Sequence, residues 1–196
     1  MTPRTSDARK RIVQTALELF AARGYHNTGI AEILKESGVN RGSLYHCFSS
    51  KKELGLAVVD EELRLLAEQG AGRHLRSQDH PIDRMLKMIG ELPGLVLLPS
   101  GEYLTPSLAI RLGSAEVEFK QRLAAGFRAL IDELEVVLRT GRAEGQIGDS
   151  VDPHVVAHMF VVMCEGIMFA AMLGDQEDVW ESAQRWMKEY LNSLRK

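Results

Sequence analysis

Between positions 37 and 54 the sequence reads SGVNRGSLYHCFSSKKEL. Asn40, Arg41, Ser43, Tyr45, His46 and Lys51 crowd into it, offering an amide, a guanidinium, two hydroxyls, an imidazole and an ammonium. These groups donate hydrogen bonds to phosphate oxygens and to the edges of bases, which suits the groove of a duplex. Elsewhere the chain shows no nucleophile–base pair, two-carboxylate site or phosphate-cradling glycine loop, so no enzyme is expected.

Three further groups of residues carry weaker chemistry. Cys47 and Cys164 form no CxxC pair and no framework, which points to a reducing, cytoplasmic setting. Cys47 lies among basic residues that favour a thiolate, yet a small packing residue is the better reading. His154 and His158 stand four apart, a metal-binding spacing, but Cys164 points elsewhere on the helix, so no metal or other cofactor is expected. Met85, Met88, Tyr103, Phe127, His158, Met159, Met163, Met168 and Phe169 could line an apolar effector cavity, with Arg84, Glu165 or His158 as polar anchors. Helical cores use the same residue types.

The elements that must position these residues read almost wholly as helix. SDARKRIVQTALELFAARGY places Ile12, Ala16, Leu19 and Phe20 at helical spacing, and Gly24 is a natural stop. NTGIAEILKESG is a short second helix, with Thr28 as its expected cap. NRGSLYHCF is a third, capped by Asn40, with Leu44 and Phe48 turned inward so that Arg41, Ser43, Tyr45 and His46 face outward or to the flank. Gly42 removes bulk at a close approach. The SGVN turn, with Gly38 free to take positive φ, makes the pair a helix-turn-helix. Ser50 and Glu53 form an expected capping box for the next helix. Lys51 in its first turn is placed for a phosphate, and Arg4, Arg9 and Lys10 could follow the same backbone.

Later helices begin at His80-Pro81, Ser114, Asp152-Pro153 and Asp175. The last carries Trp186, Met187, Tyr190 and Leu191 on a stripe wider than one subunit needs. With Val155, Met159 and Val162 it forms the expected homodimer contact. The greasy run VVAHMFVVMCEGIMFAAML is broken by His158, Glu165 and Gly166 and reads as a buried helix rather than a membrane span. No membrane association and no signal segment are expected.

The 196 residues carry a formal charge of −3. Residues 1–55 hold nine Lys and Arg against five Asp and Glu, whereas the remainder holds fifteen against twenty-two. A basic head on an acidic body suggests that only the head meets a polyanion.

These residues resemble a known family. RIVQTALELFAARGYHNTGIAEILKESGVNRGSLYHCFSSKKEL is similar to the N-terminal domain of TetR-type transcriptional regulators. The likeness rests on Leu19-Phe20, Gly24-Tyr25, Thr28, Ile30, Ile33, Gly38-Val39, Gly42, Leu44, Tyr45, Phe48, Lys51 and Leu54. It implies an all-α homodimer of about nine helices. A DNA-binding helix-turn-helix domain (1–50) precedes a larger effector-binding and dimerisation domain (51–196).

Position by position, the resemblance assigns Thr28 and Ser37 to backbone contacts. It assigns Asn40, Arg41, Ser43, Tyr45 and His46 to the recognition helix, and Lys51 to a phosphate. Ile33-Leu34 and Cys47 depart from the pattern. The C-terminal half resembles more faintly the branch that senses electrophiles. Glu102-Tyr103 stands where that branch often has Gly-Cys, which argues against the same sensing chemistry.

The expected function is a ligand-responsive regulator, most often a repressor, that binds a palindromic operator and is released by a small molecule. An architectural binder without an effector, or an enzyme with a helical site, are the competing classes.

Overall fold

The computed structural model describes residues 3–69, 71–92, 112, 115–172 and 177–196. Nine helices are delimited among them: α1 (Pro3–Arg23), α2 (Ile30–Ser37), α3 (Arg41–Cys47), α4 (Lys51–Gln69), α5 (Ala71–Leu75), α6 (Pro81–Glu91), α7 (Val117–Ala143), α8 (Pro153–Met172) and α9 (Glu177–Ser193). The all-α expectation holds: among the described residues the sole β feature is an isolated bridge between Ile147 and Arg195. Ser114, Asp175, Glu102 and Tyr103 lie outside the described residues, as does the side chain of Arg4.

The chain divides into two compact units, Met1–Arg64 with Leu98–Ala125, and Leu65–Leu97 with Gly126–Lys196. In the first, the apolar stripe of α1 (Ile12, Ala16, Leu17, Phe20) is buried with Ile33 of α2 and Leu44 of α3. Burying the Ile, Leu and Phe side chains among them stabilises by about 1.5–3 kcal/mol each. That is how helices of 8 and 7 residues, too short to persist alone, hold their shape. Helix α1 stops where Gly24 turns to φ 82 and its amide bonds the carbonyl of Phe20 at 2.9 Å.

The predicted caps fare unevenly. Asn40 caps α3 as expected, accepting from the Ser43 amide at 2.8 Å. Thr28 does not cap α2: Gly29 occupies that position without a side-chain bond. The Thr28 hydroxyl turns back instead to the carbonyls of Gly24 (2.9 Å) and Leu19 (3.3 Å), closing the end of α1. The capping box at α4 is half formed. Ser50 accepts from the Glu53 amide at 3.1 Å, but the Glu53 carboxylate takes the amide and hydroxyl of Ser49 rather than the amide of Ser50. These bonds hold it below the usual carboxylate range.

In the second unit α6 starts at Pro81, capped by the ring of His80. The Ile82 amide donates to His80 Nδ1 at 3.1 Å, and His80 Nε2 lies 3.1 Å from the Gln146 carbonyl. One partner can only donate and the other only accept, so the ring is fixed as the Nε2–H tautomer. Met85, Met88 and Ile89 of α6, Leu134 and Leu138 of α7, Phe160 and Met168 of α8, and Met187 and Leu191 of α9 are all buried.

Helix α8 departs from the expectation of a buried helix. Pro153–Ala170 is long and apolar enough to cross a membrane by length and composition, yet less than half of it is buried. Val155, Met159, Val162 and Phe169 recur along one exposed face, as positions 4, 3 and 7 apart do on a helix.

Candidate nucleic-acid interface

Helix α3 takes its place from two buried anchors, Leu44 and Phe48, and from the left-handed turn at Gly38 (φ 64) that precedes it. With those pinned inward, Asn40, Arg41, Gly42, Tyr45 and His46 are exposed, and Ser43 is half-buried. Tyr45 shows 46% of its surface. The Arg41 guanidinium carbon lies 5.7 Å from the centre of the Tyr45 ring, so the two side chains form one shelf. Arg41 has no carboxylate partner among the described residues. Beside this shelf a polar hollow of about 600 Å³ is lined by Ala8 and Arg11 of α1 and by Asn40, Gly42, Ser43, His46 and Cys47.

The two expected backbone-contacting residues are turned inward. Thr28 is fully buried, and Ser37 is 8% exposed. The Ser37 hydroxyl lies 3.4 Å from both the Leu34 carbonyl and the Val39 amide. Their side chains order the turns on either side of α2, and the donors left accessible lie on α3 and the start of α4.

Consecutive lysines at that start are used differently. Lys52 reaches Glu118 at 2.8 Å and Glu116 at 3.9 Å, and that pairing raises its pKa. Lys51 has no carboxylate partner among the described residues. Its ammonium stands 4.4 Å from the centre of the Tyr25 ring, and partial burial lowers its pKa. Arg9 lies over Phe48 at 5.3 Å, on the α1 flank.

The expected effector residues do not converge. A cavity of about 40 Å³ between α6 and α8 is lined by Met88, Leu92, Phe160, Glu165 and Met168, among others. That is room for roughly one water. Burial pushes the Glu165 carboxyl up to about 7. Of the expected lining, Met88 and Met168 are there. Met85 is packed in the core, Phe127 is half-buried, and Phe169 is exposed. Met159 and Met163 instead line a groove of about 190 Å³ between α8 and α9. Arg84 is engaged with the carbonyls of Asp79 and Leu75. His158 donates from Nδ1 to the His154 carbonyl at 2.9 Å, its ring against that of His154, while His154 meets Glu135 at 3.0 Å.

The expected dimer residues separate into two sets. Val155, Met159, Val162 and Trp186 are exposed, and Tyr190 is half-buried with its ring stacked on Trp186 at 5.3 Å. Met187 and Leu191, each 2% exposed, belong to the interior of their own unit. The stripe read from sequence was wide because it served two surfaces. Cys164 is buried, its thiol pushed up to about 12, while Cys47 is half-buried.

Residues 12–58 match the family model described as bacterial regulatory proteins, tetR family, and residues 104–187 match that of the tetracyclin repressor-like C-terminal domain. The uncharacterized HTH-type transcriptional regulator YxaF of Bacillus subtilis is 50% identical over 60 residues, 30% of this chain and 31% of that protein. The HTH-type transcriptional repressor NemR of Escherichia coli is 22% identical over 196 residues, 94% of each chain. The reduced form of NemR superposes with a TM-score of 0.81, at 21% identity over 97% of each chain. A TetR transcriptional regulator from Chloroflexus aurantiacus gives 0.86, at 23% identity over 99% of this chain and 98% of that one. At such identities the two superpositions establish the fold.

Proposed function

The chain belongs to the TetR family of bacterial regulatory proteins, and we propose that it binds a palindromic operator as a homodimer and lets go when a small molecule enters its later helices. It is a ligand-responsive, DNA-binding transcriptional regulator, as the family is. Repression is the output we assign, in the cytoplasm and without catalysis. We place the division of labour at residue 50, with α1 to α3 reading DNA and the remainder holding effector and partner.

The observation that supports the DNA reading best is the shelf on α3. Arg41 and Tyr45 project together with His46 beside them, and Lys51 follows in the next first turn with no carboxylate partner among the described residues. In our reading Arg41, Ser43, Tyr45 and His46 enter the major groove. Asn40 and Lys51 meet the backbone, and Gly42 admits the close approach. Thr28 and Ser37 contribute by holding the turns and through their main chains.

The exposed apolar face of α8 and α9 supports a symmetric partner. To read a palindromic site, a symmetric pair must present two α3 helices about 34–36 Å apart, one turn of duplex. For the effector we favour the cavity beside Met88 and Glu165. Its 40 Å³ is far below the roughly 300 Å³ at which small-molecule sites begin, so an effector must open it. Helix α4 runs unbroken from Lys51 to Gln69, and Leu66 lines that cavity. A ligand preferring the opened state would shift α4 along with it, a coupling of about 1–3 kcal/mol in typical cases.

Selection of bound fragments from a random duplex pool tests the reading. Enrichment of an inverted repeat with half-sites about 10 base pairs apart is expected. A pool that stays random, or that enriches single sites without dyad symmetry, overturns it.

A further inference from the structure

Tyr25 is a buried aromatic packed between two phenylalanines, and on its face it carries a cation. Its ring meets Phe20 at 5.2 Å and Phe119 at 5.1 Å, both edge-to-face, while Lys51 Nζ stands 4.4 Å from its centre. We propose that Tyr25 is a positioning residue for the DNA contact of Lys51, with Phe119 fixing the ring; this rests on the reading of Lys51 as a phosphate ligand.

Several features accommodate this stack. Gly55 lies one turn after Lys51 on α4, on the same side. A Cβ there would fall 2.5 Å from Phe119 Cζ and 3.1 Å from Tyr25 Cε2, so any other residue would drive the two rings away from α4. Phe119 is wholly buried in this socket. The start of α7, which carries it, is clasped to the first half of α4 by Lys52–Glu118 and by Arg122–Asp60 at 2.7 Å.

The ring does for Lys51 what a carboxylate does for Lys52, with one difference. A carboxylate neutralises an ammonium and competes with phosphate. The negative face of a neutral phenol holds the ammonium in place while leaving its charge and its outward N–H donors free. A phenol is neutral near pH 7, and burial raises that of Tyr25 further. Lys51 is thereby presented with its long stem already ordered, so less side-chain entropy is lost when a phosphate arrives.

A double-mutant cycle separates positioning from packing. Affinity is measured by fluorescence anisotropy at low salt, on a labelled duplex of arbitrary sequence, because a phosphate contact does not depend on sequence. The set comprises the full chain, Tyr25→Leu, Tyr25→Phe, Lys51→Ala, and Tyr25→Leu combined with Lys51→Ala. Tyr25→Leu should weaken binding roughly two- to five-fold, the loss of one such cation–ring contact. Tyr25→Phe, which keeps the face, should restore it. In the Lys51→Ala background Tyr25→Leu should change nothing.

Equal losses in both backgrounds, or a Phe variant as weak as the Leu variant, would leave Tyr25 a core residue only and overturn the proposal. Should Tyr25→Leu fail to fold, Phe119→Leu is put through the same cycle. A smaller loss that again vanishes without Lys51 supports the proposal, and a loss that persists overturns it. A wild-type chain that binds no duplex at all overturns the DNA reading itself. Binding by wild type with an additive cycle overturns the positioning role alone.

Discussion

Tyr45 and Tyr25 are the same residue type put to opposite uses, one half in solvent and the other sealed against Phe20 and Phe119. Because Tyr45 is 46% exposed, Tyr45→Ala should leave the melting temperature almost unchanged while operator affinity falls; a large drop in melting temperature would show the ring to be structural. Lys51→Ala should weaken binding to every sequence and reduce the slope of log affinity against log salt by about one, since one condensed counterion fewer is released. An unaltered slope would remove the phosphate contact.

Glu165 titrates on the same scale. Its folded pKa of about 7 lies above the ordinary 4.5, so the folded state binds the proton more tightly than the unfolded chain. Its contribution to stability is fully present below the ordinary value, falls as the pH climbs toward 7, and is spent above it. The accumulated loss is on the order of 3 kcal/mol. Glu165→Gln should flatten the melting temperature over that interval. A slope as steep as wild type would place the titration elsewhere.

The boundaries of the helices were legible where a single residue sets them. Gly24 and Gly38 end α1 and α2 because each adopts a positive φ that a side chain disfavours, and Asn40 caps α3 through a bond three residues on. Gly38→Ala should therefore lower stability by about 1–2 kcal/mol, the cost of forcing a Cβ into the left-handed region. Chemical denaturation would read it, and a neutral substitution would contradict the strained turn.

Where a residue had two possible partners the local pattern misled. Thr28 precedes a helix and reads as its cap, but the end of α1 offers it two carbonyls. Glu53 has Ser49 as well as Ser50 within reach and takes the former. Met187 and Leu191 shared a stripe with Trp186 and Tyr190, and only packing decided which edge of that stripe faces inward.

At the scale of the whole molecule, the exposed apolar face of α8 is the surface we propose for the partner subunit. Val162 is 60% exposed at its centre, in line with Val155, Met159 and Phe169. Val162→Glu should halve the mass in light scattering, because a carboxylate buried at the two-fold would face its own copy. DNA affinity should fall with it, since two half-sites are no longer held at once. A dimer that survives this change would place the subunit contact elsewhere.

What the sequence by itself determined is local: helical periodicity, glycine stops, one cap, the basic head, and the motif by which α3 and its neighbours resemble a family. Each of these depends on residues within a few positions of one another. Only the tertiary structure decided that Lys51 rests on Tyr25 and Lys52 on Glu118, that Gly55 is the socket for Phe119, and that Glu165 lies beside Met88 in a small cavity. Those partners come from distant parts of the chain, and no periodicity records which of many apolar or charged side chains will meet. That choice is made by the simultaneous packing of several helices, in which each burial depends on all the others.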